Sequence, residues 1–348
     1  MDSTKPVVTK ETKNRISVDY EGKLSFKERL GKKLRSSFVW IKMLVTVLRF
    51  LLMLGVSFVI IYPFIARIAG SFMSREDIID STVSLIPKHF TLEIYEAIIV
   101  DNHYFEALLN TLLLSLVCAI IQTFVACLVG YGLAKFKFKG NALVMAAVVI
   151  TMIIPHGALK LSLIQHFQMF DLATVISWDH KGIIELIFGK PIDMSNTFGP
   201  LIILSLCGLA FKNGLYIYLL RQFFKGVPDE LEESAYVDGS GTFRTFIQII
   251  LPLAVPMMIT VFLFSFSWQW TDEFYTTIFF QNNLDKVYLM PDVYKTPASI
   301  DLNYAGATLY QNVIQNTGGM LIIAPLIILY LFCQKYLVQG IERSGLVG

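Results

Sequence analysis

The chain reads as an all-α, polytopic membrane protein, and three observations predict it: the bulk composition, six apolar runs of bilayer-crossing length, and an uneven spread of basic residues between the segments that join them. Of 348 residues, 55% are hydrophobic, 13% aromatic and only 16% charged, the balance of a chain that dissolves in lipid. A net charge of +2 leaves no footprint for nucleic acid, whose phosphates need clustered Lys and Arg on one face. The four cysteines, Cys118, Cys127, Cys207 and Cys333, lie inside apolar runs without CxxC spacing, so they read as small packing residues and not as metal or redox ligands.

Crossing ~30 Å of hydrocarbon takes about 20 apolar residues in a helix. Runs of that kind cover approximately 47–66, 107–134, 142–164, 198–220, 252–270 and 318–338. Pro155 interrupts the third, and Gly318, Gly319 and Pro325 perforate the sixth. Such breaks are tolerated where neighbouring helices or a cavity satisfy the freed backbone groups. The N-terminus is a polar stretch with no short apolar core of the cleavable-signal type, so the first run reads as a retained anchor.

Sidedness follows from Lys and Arg. With the N-terminus inside, the cytoplasmic segments hold twelve basic residues before Phe50, plus Lys135, Lys137, Lys139, Arg221, Lys225, Arg244, Lys335 and Arg343. The longer outer segments hold only Arg67, Arg75, Lys88, Lys160, Lys181, Lys190, Lys286 and Lys295. This asymmetry predicts both termini in the cytoplasm. The domain plan is then a cytoplasmic tail over 1–43, a membrane domain over 44–338 and a cytoplasmic tail over 339–348. Within the first tail, 24–35 mixes Leu24, Phe26, Leu30 and Leu34 with cations, which fits a helix lying on the anionic leaflet or a solvated tail equally well. The outer segments 67–106, 165–197 and 271–317 are too long to be plain connectors, so short helices are expected there.

The loop over 226–251 carries the most information. Pro228 suits the first turn of a helix, Asp229, Glu230, Glu232 and Glu233 oppose the positive end of its dipole, and Gly239 suits a left-handed stop. Thr242 then caps a second helix to Leu251, where Pro252 opens the fifth run. An L-shaped helix pair is expected. Leu231, Ser234, Ala235 and Asp238 share one side of the first helix, a stripe of small residues that lets another protein approach the backbone.

Here a specific resemblance appears. Glu233-Ser-Ala-x-x-Asp-Gly239, nine residues, then Ile249-x-Leu251-Pro252 resembles the EAA signature of ABC importer permeases, with Ser234 where the signature has its first Ala. The resemblance implies the type I ABC importer permease fold, and a cytoplasmic coupling helix seated in a cleft of a separate ATPase through Glu233, Ser234, Ala235, Asp238, Gly239, Ile249, Leu251 and Pro252. Further stretches resemble the maltose-type carbohydrate branch. These are Asn110-Thr111 with Gly130-Tyr-Gly-Leu-Ala-Lys-Phe-Lys-Phe-Lys-Gly140, Leu219-Leu-Arg-Gln-Phe-Phe224, Phe266 to Phe274 with Thr271 replacing Asn, and the glycine-ended tail from Gly340. They imply the second permease of a sugar importer, working with a homologous permease, two ABC ATPases and an extracytoplasmic sugar-binding protein. A permease for a polyamine, phosphate or another solute is the alternative.

Sugars are held by aromatic faces together with amides and hydroxyls. Lys212, Asn213, Tyr216, Gln122, Trp268 and Trp270 are therefore candidate substrate-path residues, although each alone fits an interfacial belt or helix packing as well. Lys212 is the sharpest, since a Lys at mid-span costs ~2.5 to 3.5 kcal/mol and calls for a cavity, a carboxylate or a partner. His156 beside Pro155 fits an outer mouth or the headgroup level. No GxxxxGK[ST] loop, HExxH or GxSxG occurs. The chain is expected to be a non-catalytic subunit that binds no cofactor, with ATP and Mg used by partner ATPases. The inner membrane is the expected location.

Overall fold

The computed structural model describes residues 8–11, 17–20, 37–171, 182–280, 287–304 and 306–345. The interfacial segment considered over 24–35 lies outside them. Two units form, Met1–Ala66 and Arg67–Gly348. The first contains an antiparallel pair, β1 (Val8–Glu11) and β2 (Ser17–Tyr20), with Val8 opposite Tyr20. It also carries most of helix α1 (Ser37–Gly70), whose residues from Trp40 onward are almost all exposed and mostly apolar.

Beyond α1 the regular elements of the described residues are helices, with two isolated bridges, Met73 to Phe90 and Phe170 to Ile192. In order come α2 (Arg75–Ile79), α3 (Glu93–Asp101), α4 (Tyr104–Lys135), α5 (Asn141–Ile153), α6 (Lys160–Gln168), α7 (Ile183–Phe188), α8 (Gly199–Leu206), α9 (Asn213–Lys225), α10 (Glu230–Val237), α11 (Thr242–Trp270), α12 (Phe274–Phe279) and α13 (Ala307–Gly345). Among the described residues four helices are long and apolar enough to cross a membrane: α1, α4, α11 and α13. The short helices expected between runs are present as α2, α3, α7 and α12.

The arrangement is that of a protein built for lipid. Along α4 the large side chains Leu109, Leu113, Ile120 and Phe124 are exposed, whereas the inward face is Ala107, Thr111, Ser115, Cys118, Ala119, Gln122 and Ala126. Small inward residues let backbones pack closely where no water drives association. α4 packs against α8, α9 and α11, and α11 packs against α13. Residues of α4 enter all three buried clusters, including Tyr131 with Phe224 and Phe246, Ala107 with Trp270 and Tyr310, and Leu114 with Leu201 and Tyr275. Cys118 and Cys127 are buried packing residues, Cys333 is half-buried and Cys207 is exposed.

Two of the six runs depart from single straight helices. The third turns by 94° between α5 and the segment from His156. Pro155 has no N–H to continue the ladder and holds its predecessor Ile154 in an extended conformation (ψ 122°). The fourth breaks over 207–212. Leu209 and Ala210 both donate N–H bonds back to the Leu204 carbonyl (2.9 and 3.0 Å), and Gly208 and Lys212 take left-handed backbone (φ 71° and 64°) before α9 starts. Conversely, the sixth run, expected to be perforated, lies in one continuous helix with Pro325 inside it.

The second arm of the L also differs from expectation. It does not stop at Leu251 but continues into the fifth run as α11, through a wide turn over Phe246–Ile250 in which the Leu251 N–H reaches the Phe246 carbonyl five residues back. The proline ring at 252 would clash with the carbonyl four residues before it in an ordinary helix, and widening the turn removes that clash.

Candidate functional site

Two places gather the residues singled out from the sequence. The first is the turn around α10. Its C-terminus closes as a Schellman motif, with Gly239 N–H to Tyr236 O (3.0 Å), Ser240 N–H to Ala235 O (2.9 Å) and Gly239 at φ 81°. A Cβ at 239 would strain that left-handed conformation, which is why glycine stands there. Thr245 Oγ1 donates to Ser240 Oγ (3.0 Å) across the corner.

The stripe expected on α10 divides in two. Leu231, Ser234 and Asp238 are exposed, as are Glu233 and Gly239, while Ala235 turns into the chain's own interior at 5% exposure together with Glu232. Ile249 and Leu251 are half-buried and Pro252 is exposed. The free face of the corner is completed by Val237 and Phe243, exposed at 87% and 74%.

The polar contacts that hold α10 in place come from α4. Tyr131 and Lys135, one helical turn apart at the end of α4, both reach it. The Tyr131 hydroxyl donates to Glu232 Oε1 (2.7 Å). Lys135 Nζ donates to the Val227 carbonyl (2.6 Å) and to Asp229 Oδ1 (2.5 Å), and lies 3.9 Å from Glu232 Oε2. Lys135 holds the Asp229 carboxyl below the usual carboxylate range, by hydrogen bond and then by charge. Spacing within Gly130-Tyr-Gly-Leu-Ala-Lys135 places both side chains on one face, so an aromatic and a cation four apart at a helix end, followed by an acidic loop helix, was the signal available.

The second place is the break between α8 and α9. A cavity of about 370 Å³ opens there, lined by Thr151, Pro155, His156, Leu209, Lys212 and Asn213 among others. Lys212 Nζ lies over the Phe211 and Trp268 rings, 4.9 and 5.1 Å from their centroids, and the His156 ring meets Phe211 at 4.6 Å. Asn213 is 1% exposed, and neither its amide oxygen nor its nitrogen has a partner. Gly214 seats α9 against α5, since a Cβ there would come within 2.5 Å of Thr151 Oγ1 and 2.9 Å of the Val148 carbonyl.

Lys212, Asn213 and Trp268 therefore meet at one place, and the other candidates do not join them. Tyr216 is buried one turn deeper in α9, its hydroxyl unpartnered. Gln122 ties three helices together, donating from Nε2 to Ser205 Oγ (3.0 Å) and accepting at Oε1 from Ser265 Oγ (2.7 Å). Trp270 stacks on Phe266 and donates Nε1–H to the Ile322 carbonyl (2.9 Å), fastening α11 to α13. Among the described residues no His, Cys, Asp and Glu cluster suits a metal ion.

Comparison with known proteins bears directly on this arrangement. Residues 122–343 match the family described as binding-protein-dependent transport system inner membrane component. The chain belongs to that family. Its match to this family of transport components takes in both the α10 corner and the cavity. It is 28% identical over 262 residues to the alpha-glucoside transport system permease protein AglG of Rhizobium meliloti (strain 1021), covering 75% of this chain but 62% of that one. It is 27% identical over 292 residues to the probable ABC transporter permease protein PH1036 of Pyrococcus horikoshii, covering 82% and 92%. A chain in the crystal structure of a bacterial ABC transporter that imports the acidic polysaccharide alginate shares the fold, with a TM-score of 0.63, 19% identity, and 86% and 98% coverage. The family member described here is thus an inner-membrane, multi-pass transport component.

Proposed function

We propose that this chain is a permease subunit of an ATP-driven ABC importer that carries a sugar or oligosaccharide. The observation that carries the reading is the α10 corner: a short acidic helix, closed at a left-handed glycine, fastened to a membrane helix from behind and exposing Ser234, Asp238, Val237 and Phe243 in front. A rigid helix with a free face is the shape of a lever. In this reading the corner is the coupling helix, seated in the cleft of a cytoplasmic ATPase through Glu233, Ser234, Asp238 and Gly239, with Ala235 supporting it from within and Ile249, Leu251 and Pro252 joining it to the fifth crossing.

The chain crosses the membrane six times in this account, with the third and fourth crossings broken at Pro155 and at 207–212. Both termini face the cytoplasm, with tails over 1–43 and 339–348 around the membrane domain. A homologous permease, two ATPases that consume ATP and Mg, and an extracytoplasmic sugar-binding protein complete the machine, and this chain binds no cofactor. Closing of the ATPases moves the coupling helices, and the crossings alternate between inward- and outward-facing states. The alpha-glucoside permease among the relatives, and the aromatic and amide groups at the cavity, support a sugar over a polyamine or phosphate.

Purification through a tag on this chain tests the reading. A Walker-motif ATPase is expected to copurify, with hydrolysis stimulated by one of a panel of oligosaccharides delivered by the cognate binding protein. Transport by this chain with no ATPase present refutes it.

A further inference from the structure

The cavity at the start of α9 has features that a neutral sugar does not call for. Lys212 is a cation inside an apolar run, and among the described residues it forms no ion pair. Its ammonium rests on two aromatic faces, which stabilise the charge without consuming its N–H donors. Asn213 beside it is buried with both amide atoms unpartnered and lines the same cavity. The N-terminus of α9, a helix of 13 residues, opens at this point, and its first-turn N–H groups and dipole favour negative charge. No Asp or Glu lines the cavity, whereas His156 does.

These features share one sign, favourable to negative charge. A charged side chain within a membrane protein is retained where it meets a counter-charge or a pathway, and here the described chain supplies no counter-charge. From this, and resting on the transport reading above, we infer that the break at 207–212 is an anion subsite and that the cargo is an acidic oligosaccharide whose carboxylate pauses between Lys212 and the Asn213 amide. Trp268, 46% exposed beside the lysine, offers a sugar ring a face near that carboxylate. An anionic lipid headgroup presents similar charge, and the test separates the two.

The test measures the electrostatics of the cavity without turnover, so it is independent of whether ATP drives transport. In the purified full-length chain with whatever partners accompany it, and with the exposed and half-buried native thiols removed as Cys207→Ser and Cys333→Ser, the exposed cavity residue Leu209 is changed to Cys. Its modification by anionic sulfonatoethyl and cationic trimethylammonioethyl methanethiosulfonates is then timed in zwitterionic vesicles. With each rate divided by that reagent's rate on free 2-mercaptoethanol, the anionic reagent is expected to be favoured about tenfold, and Lys212→Met to abolish that preference. Trigalacturonate is expected to slow the reaction, and its carboxyl-methyl ester to leave it unchanged. Equal normalised rates for the two reagents, or equal protection by acid and ester, overturn the inference. So does a preference that disappears when phosphatidylglycerol is added to the vesicles, which would assign the site to lipid. Failure of an ATPase to copurify would sink the transport reading and leave these rates readable.

Discussion

Replacing Lys135 by Met removes the cation that hydrogen-bonds the α10 segment to α4, and the consequences can be worked bond by bond. The contact with Asp229 contributes little, because that carboxylate is 76% exposed and solvent screens an exposed ion pair. Glu232 matters more. Its side chain is 10% exposed, and stranding a buried charge costs about 3–5 kcal/mol. The Tyr131 hydroxyl still donates to it, which places the cost near the lower end, about 3 kcal/mol. At 1.4 kcal/mol per factor of ten, local opening of α10 becomes roughly 100-fold more frequent.

Hydrogen exchange over 229–241 reads this directly, because the protecting bonds are Glu233 N–H to Asp229 O, Asp238 N–H to Ser234 O and Ser240 N–H to Ala235 O. Exchange there should accelerate about 100-fold in Lys135→Met, with amides in α9 unchanged and less solute moved per ATP. Asp229→Asn should change it less than about fivefold. Tyr131→Phe, which loses a hydrogen bond to a charged group worth about 1.5–3 kcal/mol, should fall between. Unaltered exchange in Lys135→Met would show that α10 is held by apolar packing alone, and the clamp argument would be wrong.

Three further predictions follow from the geometry. Ser234→Trp, on the free face, should abolish uptake while thermal stability holds, whereas Ala235→Trp, inside, should lower stability by about 1–3 kcal/mol through overpacking; thermal melts beside vesicle uptake distinguish them, and the reverse pattern would place the docking face on the other side of α10. Gly214→Val should impair assembly of α9 on α5, seen as a lost melting transition or loss of expression, since the new side chain meets Thr151 and the Val148 carbonyl; a normal melt refutes the close approach. Asp272, beyond the end of α11, has its carboxyl pushed up to about 7 by burial, against the lowering effect of the Tyr275 and Phe274 N–H groups. A raised carboxyl contributes stability that is full below the unfolded value near 4 and is lost as pH rises through about 7, at up to about 1.4 kcal/mol per pH unit. Melting temperatures should decline across that window and Asp272→Asn should flatten the decline; an unchanged slope counts against it.

Composition, run length and the 226–251 pattern carried much of this protein, because they are local. Lipid demands apolar runs whatever the neighbours, so the helices α1, α4, α11 and α13 were readable as such, and a Schellman stop needs only a glycine at the right place. The family likeness rested on the same short-range landmarks. Whether a run stays straight is not local. The bend at Pro155 and the break at 207–212 persist because α5, α9 and the cavity accommodate backbone that lipid would reject, and apolarity by itself reads the same in either case.

Side-chain roles divide along the same line. Gln122, Trp270 and Lys212 looked alike as polar or aromatic groups inside runs, yet tertiary contacts make the first two fasteners between helices and leave the third facing a cavity. Ala235 and Ser234 are adjacent small residues in one stripe, and only the packing of α10 on α4 turns one inward and the other out. The Tyr131–Lys135 clamp joins residues about a hundred positions apart, a distance over which chain spacing carries no information. The residues' chemistry is written in the sequence; which charges meet is decided by helices brought side by side, because Coulomb and hydrogen-bond energies depend on separation in space and not along the chain.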